Sequence, residues 1–245
     1  NVTSILGPAQ AAKSGGGDGV SLINTVNSIT SIDLDLMAPT PTVDGKGSHG
    51  GYCGPAVKPM ALHMCAEIAR NAGTAGLPMS AIGGISNWRD AAEFIALGAG
   101  TTQVCTAVMH YGFKIVEDMI DGLSDWMDQK GYAKISDFQG MAVPNITDWQ
   151  NLNMNYEIVA EIEQTKCVKC GLCHIVCEDT SHQAISAEKI KGERRYEVID
   201  KECVGCNLCM HVCPENCITM RKVDNGKDYM NWTQDPRNPF SNAAE

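Results

Sequence analysis

A doubled cysteine run constrains this chain more than any other feature. Residues 167–177 read Cys167-Val-Lys-Cys170-Gly-Leu-Cys173-His-Ile-Val-Cys177, and residues 203–213 read Cys203-Val-Gly-Cys206-Asn-Leu-Cys209-Met-His-Val-Cys213. That is C-x2-C-x2-C-x3-C written twice, 36 residues apart, with Pro214 after the second copy and Glu178 in that place after the first. One C-x-x-C says little. Two full copies with the same spacing predict a pair of [4Fe-4S] clusters. The reason is geometric. A cubane core needs four converging thiolates; three at i, i+3 and i+6 can wrap one side of it from a tight loop, and the fourth must come from elsewhere. The competing readings are disulfides, or zinc held by four Cys, and zinc needs no triple C-x2-C-x2-C run.

In two-cluster ferredoxins the fourth Cys of each run serves the other cluster. The expected ligand sets are therefore Cys167, Cys170, Cys173 and Cys213 for one cluster, and Cys203, Cys206, Cys209 and Cys177 for the other. Gly171 and Gly205 are expected to give the backbone room beside the sulfurs. Cys53, Cys65, Cys105 and Cys217 remain. Cys65 falls in a helical stretch and reads as a small core residue. Cys217 could pass for a ninth ligand, but eight thiols already fill two clusters, so it reads as packing against one of them. His174 directly follows the third Cys of its run and His211 lies two after the third Cys of the other, where no Cys is missing for a His to replace; they tune the clusters by hydrogen bonding or pack. His49, His63, His110 and His182 have no partner spacing, so no zinc site or triad follows. The four Trp are scattered and read as packing.

Twelve Cys, with oxygen-sensitive clusters predicted, point to a reducing, cytoplasmic compartment. No apolar run approaches the roughly 18 residues of a membrane helix, and no signal peptide is visible. The net charge of −10 argues against a nucleic-acid partner. It is unevenly placed: residues 165–222 carry nine Lys/Arg against eight Asp/Glu, leaving ten against twenty-one elsewhere. Those basic residues partly offset the charge of eight thiolates. The chain begins with Asn1 and opens mid-pattern, so a fragment or processed product is expected.

Residues 8–17 read as a short helix ended by glycine, and 18–25 as a buried strand ending in polar residues. A long loop is expected from Val26 to about Gly54. Val57, Met60, Ala61, Met64 and Ile68 restore a helical period over 55–71. Leu77–Ile82 is a strand running into Gly83-Gly84, and Ser86 is placed to cap a helix through about Leu97. Thr101–Ala107 is a third strand. Phe113–Lys130 is a helix with Phe113, Val116, Ile120, Leu123 and Met127 on one face and Glu117, Asp118 and Asp121 on the wet one. Strand, loop, helix repeats three times, which predicts βα units and a parallel sheet. The Gly-rich polar ends all follow strands, the face that carries active sites in (β/α)8 barrels. Three units cannot close such a barrel. The expected organisation is the C-terminal βα units of a barrel over 1–130, a linker over 131–164, a two-cluster ferredoxin-like domain over 165–222, and a polar tail over 223–245.

This combination resembles the dihydropyrimidine dehydrogenase family, more narrowly the FMN-and-iron–sulfur subunit of its bacterial NAD-dependent type. The likeness rests on Asn24-Thr25, His49-Gly-Gly-Tyr-Cys-Gly54, Ala81-Ile-Gly-Gly-Ile85 and Gln103-Val-Cys-Thr106, fused to the double cysteine module. The barrel motifs alone are shared with dihydroorotate dehydrogenases. The resemblance implies reversible reduction of uracil or thymine at the 5,6 double bond, with hydride from FMN and a proton from a cysteine acid. Electrons come from NADH on a partner subunit carrying FAD and iron–sulfur clusters, which implies a hetero-oligomer. It implies that Asn24 and Thr25 contact the substrate, that Gly54 closely approaches FMN, that Ile82, Gly83 and Gly84 form the phosphate loop, and that Cys105 and Thr106 complete the phosphate contacts. Ile82 stands where some relatives have Thr, a change that a backbone contact survives. The family's flavin-side Lys and its catalytic Cys loop have no counterpart here, so no catalytic residue is assigned and the chain alone is expected to be inactive. Cys53 is no substitute acid, since no base or cation beside it marks a tuned thiol. The alternatives are a dihydroorotate-type dehydrogenase and a plain ferredoxin-type electron carrier; the carrier would need neither Asn24-Thr25 nor a phosphate loop.

Overall fold

The computed structural model describes residues 3–152, 156–180 and 182–223. The chain divides into two compact units, Asn1–Thr147 and Asp148–Glu245. In the first, helix α1 (Leu6–Ser14) leads into strand β1 (Val20–Leu22). Strands β2 (Val26–Ser28), β3 (Ser31–Asp33), β4 (Ala38–Thr40) and β5 (Gly50–Tyr52) follow. β2 pairs antiparallel with β5, and β3 with β4. The long loop expected over 26–54 is thus two nested strand pairs. The Asp33 carboxylate accepts the amides of Asp35 and Leu36 at 2.9 and 3.0 Å and turns the chain between β3 and β4. Strands of three residues are too short to show an alternating pattern in sequence.

Helix α2 (Lys58–Arg70), strand β6 (Met79–Ile82), helix α3 (Trp88–Ala96), strand β7 (Thr101–Gln103), and helices α4 (Thr106–Tyr111) and α5 (Lys114–Lys130) follow the expected alternation, except that the strand expected over Thr101–Ala107 ends at Gln103 and Thr106 and Ala107 open the unexpected α4. The sheet order is β1-β6-β7 and both pairings are parallel, with Leu22 opposite Ala81 and Ile82 opposite Gln103. One face buries Leu22, Met79 and Ala81 against Ala61, Cys65, Ile68 and Phe94 of the helices. On the other, Gln103 Nε2 donates to the hydroxyls of Ser21 and Ser80 at 2.8 and 2.7 Å. Cys65 is fully buried, as a core residue should be.

Two local expectations are corrected. Asn87, not Ser86, caps α3: its Oδ1 accepts from Arg89 N and Asp90 N, and the Asp90 carboxylate returns to Asn87 N, a complete capping box. Helix α5 is also rotated from its expected face. Phe113 and Ile120 are 84% and 62% exposed, whereas Met119 is buried and Leu123, Trp126 and Met127 pack inward. Trp126 sets that rotation. Its ring lies 6.0 Å from Trp88, 5.6 Å from Tyr132 and 5.1 Å from Phe138, and an aromatic of that area outweighs smaller apolar residues in choosing a face.

The stretch expected as a linker over 131–164 is folded at both ends. Phe138 is buried in the first unit, and the amides of Gly140 and Ala142 donate to the carbonyls of Ile95 and Ala96, each at 3.0 Å. Residues 157–162 form strand β8 (Glu157–Ile162) of the second unit. Helix α6 (Leu172–Asp179), strands β9 (Ile185–Ile190) and β10 (Glu193–Val198), helix α7 (Leu208–His211) and strand β11 (Ile218–Val223) follow. β8 pairs with β11 and β9 with β10, both antiparallel. The β9–β10 turn is Lys191-Gly192, both at positive φ, as a two-residue hairpin turn of the primed type requires. The expected tail lies outside the described residues beyond Val223. Among the described residues no helix is long and apolar enough to cross a membrane.

Candidate functional site

In the second unit each cysteine run is a loop that breaks into a short helix at its third Cys. Two left-handed residues bend each loop: Lys169 and Gly171 in the first, Gly205 and Asn207 in the second. The two glycines are also needed for space. A Cβ at Gly171 would lie 2.7 Å from the Tyr196 hydroxyl, and one at Gly205 would lie 2.7 Å from the Ile158 carbonyl oxygen. The bends turn the thiols toward two cavities. One is lined by Cys167, Cys170, Cys173 and Cys213, with Tyr196 and Cys217 beside them. The other is lined by Cys177, Cys203, Cys206 and Cys209, with Asn207. The last Cys of each run therefore stands at the cavity of the other run.

The donor set fits a cluster. Four thiols ring each cavity instead of closing on a point: among the described residues, no three His, Cys, Asp or Glu side chains converge as a single metal ion would need. Backbone amides already face the sulfurs. Ala184 N donates to Cys177 Sγ at 3.2 Å and Ala160 N to Cys203 Sγ at 3.4 Å. At Cys213, burial raises the thiol pKa, but the amides of residues 215–217 together with the Cys217 thiol outweigh it and hold the pKa below the ordinary thiol value. Cys173 goes the other way, pushed up to about 11 chiefly by burial. In an iron–sulfur site the metal itself would supply the charge that ionises it. The Asn207 side-chain oxygen is buried and finds no protein partner. Cys217 Sγ lies 3.4 Å from Cys213 Sγ, and burial foremost pushes its thiol up to about 12. It is a neutral neighbour of the first cage. His174 hydrogen-bonds through Nδ1 to the Ile185 carbonyl at 2.6 Å, a strut between α6 and β9.

In the first unit a recess opens where the three parallel strands end. It is lined by Asn24 and Thr25 after β1, Gly54, then Ile82 at the end of β6 with Gly83 and Gly84 after it, and Cys105 and Thr106 after β7. All eight residues singled out for flavin and substrate thus share one cavity. Asn24 Oδ1 accepts from Thr25 N at 2.7 Å; its NH2 meets no protein acceptor among the described residues. Thr25 sits directly over Gly51, where a Cβ would lie 2.0 Å from the Thr25 hydroxyl oxygen. Gly83 and Gly84 have φ of 144° and 74°, values that L side chains rarely adopt. Cys53 also lines the recess and accepts a hydrogen bond from the Thr106 hydroxyl at 3.3 Å. Ser86 and Gln103 also line it, beside the apolar Ile23, Val57 and Ile85. Sequence reasoning gave Ser86 only a helix cap and Gln103 no separate role, and it missed Lys58 and Asp90 behind the loop, which are 32 residues apart and meet only through the fold.

Comparison with known proteins agrees with this two-part layout. Residues 1–127 match the dihydroorotate dehydrogenase family and residues 160–220 match the 4Fe-4S dicluster domain. The chain is 45% identical over 185 residues to the NAD-dependent dihydropyrimidine dehydrogenase subunit PreA of Escherichia coli (strain K12), covering 76% of this chain and 45% of PreA. It is 36% identical over 175 residues to the chloroplastic dihydropyrimidine dehydrogenase (NADP(+)) of Arabidopsis thaliana, covering 70% and 41%. It is 39% identical over 143 residues to the catalytic subunit of dihydroorotate dehydrogenase B (NAD(+)) of Pyrococcus horikoshii, covering 58% and 45%. The chain spans less than half the length of these relatives. With 127 of its 245 residues under one family's pattern, the chain belongs to the dihydroorotate dehydrogenase family.

Proposed function

We propose that the complete protein carrying this chain is an NAD-dependent dihydropyrimidine dehydrogenase subunit, reversibly reducing the 5,6 double bond of uracil or thymine. One observation carries this reading: the same chain holds a recess with Asn24-Thr25 and a glycine loop, and two cages of four thiols. When bound, FMN supplies hydride chemistry and the two [4Fe-4S] clusters supply one-electron transfer. The chain's own residues bind and orient. The Asn24 amide and the Thr25 hydroxyl complement the imide edge of a pyrimidine. Gly54 lets the backbone approach FMN closely. Ile82, Gly83, Gly84, Cys105 and Thr106 hold the phosphate through backbone amides and a hydroxyl. Cys167, Cys170, Cys173 and Cys213 hold one cluster; Cys203, Cys206, Cys209 and Cys177 hold the other. We assign no catalytic acid among these residues.

The first unit is read as the C-terminal portion of an FMN-binding (β/α)8 barrel, whose active face lies at the strand C-termini, where the recess opens. Electrons enter from a partner subunit that oxidises NADH and carries FAD and iron–sulfur clusters, in a cytoplasmic hetero-oligomer. The experiment is anaerobic NADH oxidation by the full-length protein with that partner. Uracil-dependent loss of NADH is expected. Orotate-dependent turnover instead would favour the dihydroorotate reading, to which the Pyrococcus relative lends weight. Clusters without bound flavin would favour a plain electron carrier.

A further inference from the structure

We infer that Asp90, locked by Lys58, is a positioning residue that sets the Gly83–Asn87 loop in the one shape that receives a phosphate. The inference rests on the FMN reading above. Asp90 is the third residue of α3 and is 7% exposed. Its Oδ2 accepts the amides of Ser86 and Asn87 at 2.8 and 3.2 Å, and its Oδ1 accepts from Lys58 Nζ at 2.5 Å. Lys58 opens α2, and its ammonium also meets Glu93 Oε2 at 2.9 Å. Burial works against that ammonium, but the two carboxylates outweigh it and hold its pKa above the ordinary lysine value.

The backbone of Lys58 is itself a wall of the loop. A Cβ on Gly84 would lie 3.0 Å from Lys58 N and 2.8 Å from the Gly54 carbonyl oxygen. One carboxylate therefore ties the start of α3 and the glycine loop to the start of α2, which follows Gly54. Because Asp90 takes the amides of Ser86 and Asn87, the preceding turn must run through the two left-handed glycines. That leaves the amides of Gly84 and Ile85 with no protein acceptor among the described residues, and both residues line the recess. A run of free amides is a receptor for an anionic oxygen group, not for a neutral ring.

Charge alone argues the opposite sign. Asp90 and Glu93 place two negative charges against the single one of Lys58, beside a site for an anion. Removing the Asp90 charge would then tighten phosphate binding, whereas removing a clamp loosens it. The test compares FMN with riboflavin, which lacks the phosphate, on flavin-depleted full-length protein. Dissociation constants are read by flavin fluorescence for wild type, Asp90→Asn and Lys58→Met. Losing hydrogen bonds to a charged acceptor should weaken FMN about tenfold or more in Asp90→Asn, with riboflavin changed less than about twofold. Lys58→Met should move FMN in the same direction by less, and it carries the test if Asp90→Asn does not fold. FMN binding that is unchanged or tighter, or FMN and riboflavin weakened alike, overturns the inference. A wild type that does not prefer FMN to riboflavin overturns the flavin reading itself.

Discussion

Gly84 offers a sharp test of the recess because Gly76 serves as its control. Both are left-handed, with φ of 74° and 76°. Replacing either with Ala imposes nearly the same backbone penalty, about 1–2 kcal/mol, and nearly the same restriction of the unfolded chain. The surroundings differ. At Gly76 a Cβ meets nothing within 4 Å, while at Gly84 it lies 2.8 Å from the Gly54 carbonyl oxygen and 2.8 Å from Lys58 Cβ. Real Cβ atoms do not come that close, and the obstacles are backbone or backbone-proximal, so the recess wall must move. Overpacking of that kind costs about 1–3 kcal/mol more. Urea unfolding of flavin-free protein, followed by tryptophan fluorescence, should show Gly84→Ala losing more stability than Gly76→Ala by that margin. Trp88 and Trp126 pack in this unit with tilted rings 6.0 Å apart and report on it. Flavin should remain bound in Gly76→Ala and be lost in Gly84→Ala. Equal losses within about 0.5 kcal/mol, or tight flavin binding by Gly84→Ala, would refute the reasoning.

Other outcomes follow from the cages and the core. Cys177→Ala should remove the cluster of Cys203, Cys206 and Cys209. Combined with Cys206→Ala it should then cost no further iron, whereas combined with Cys170→Ala it should abolish both clusters; the reverse pattern in iron content would show each run serving its own cluster. Burial raises the Cys65 thiol from 9.0 to about 12. A raised folded-state pKa gives stability that is fully present below pH 9 and lost as pH climbs through about 12, so Cys65→Ala should flatten the alkaline fall in melting temperature over that window. A wild-type curve that the substitution leaves unchanged would place the alkaline loss elsewhere.

What the sequence made legible was whatever chemistry fixes at short range. Cysteine spacing determines which thiols can share a loop, and the structure gathers the four of each proposed set. The strand-end glycines and the Asn24-Thr25 pair were readable because βα periodicity placed them at strand ends. Contacts between distant residues were not. The Asp90–Lys58 pair, the turn of α5 toward Trp126 and the docking of residues 138–142 on α3 each depend on a partner that only the fold supplies. The strand pairs within 26–54 were hidden for a different reason, since three-residue strands carry too little periodicity to read.

The half-reaction without NADH tests the central claim most directly. Full-length protein is mixed anaerobically with dihydrouracil, and flavin absorbance is followed together with the paramagnetic signal of reduced clusters. The flavin should bleach and cluster signals should then grow, because the recess and the two cages would form one electron path. Bleaching by dihydroorotate but not dihydrouracil, or a bleached flavin whose electrons never reach the clusters, would contradict it.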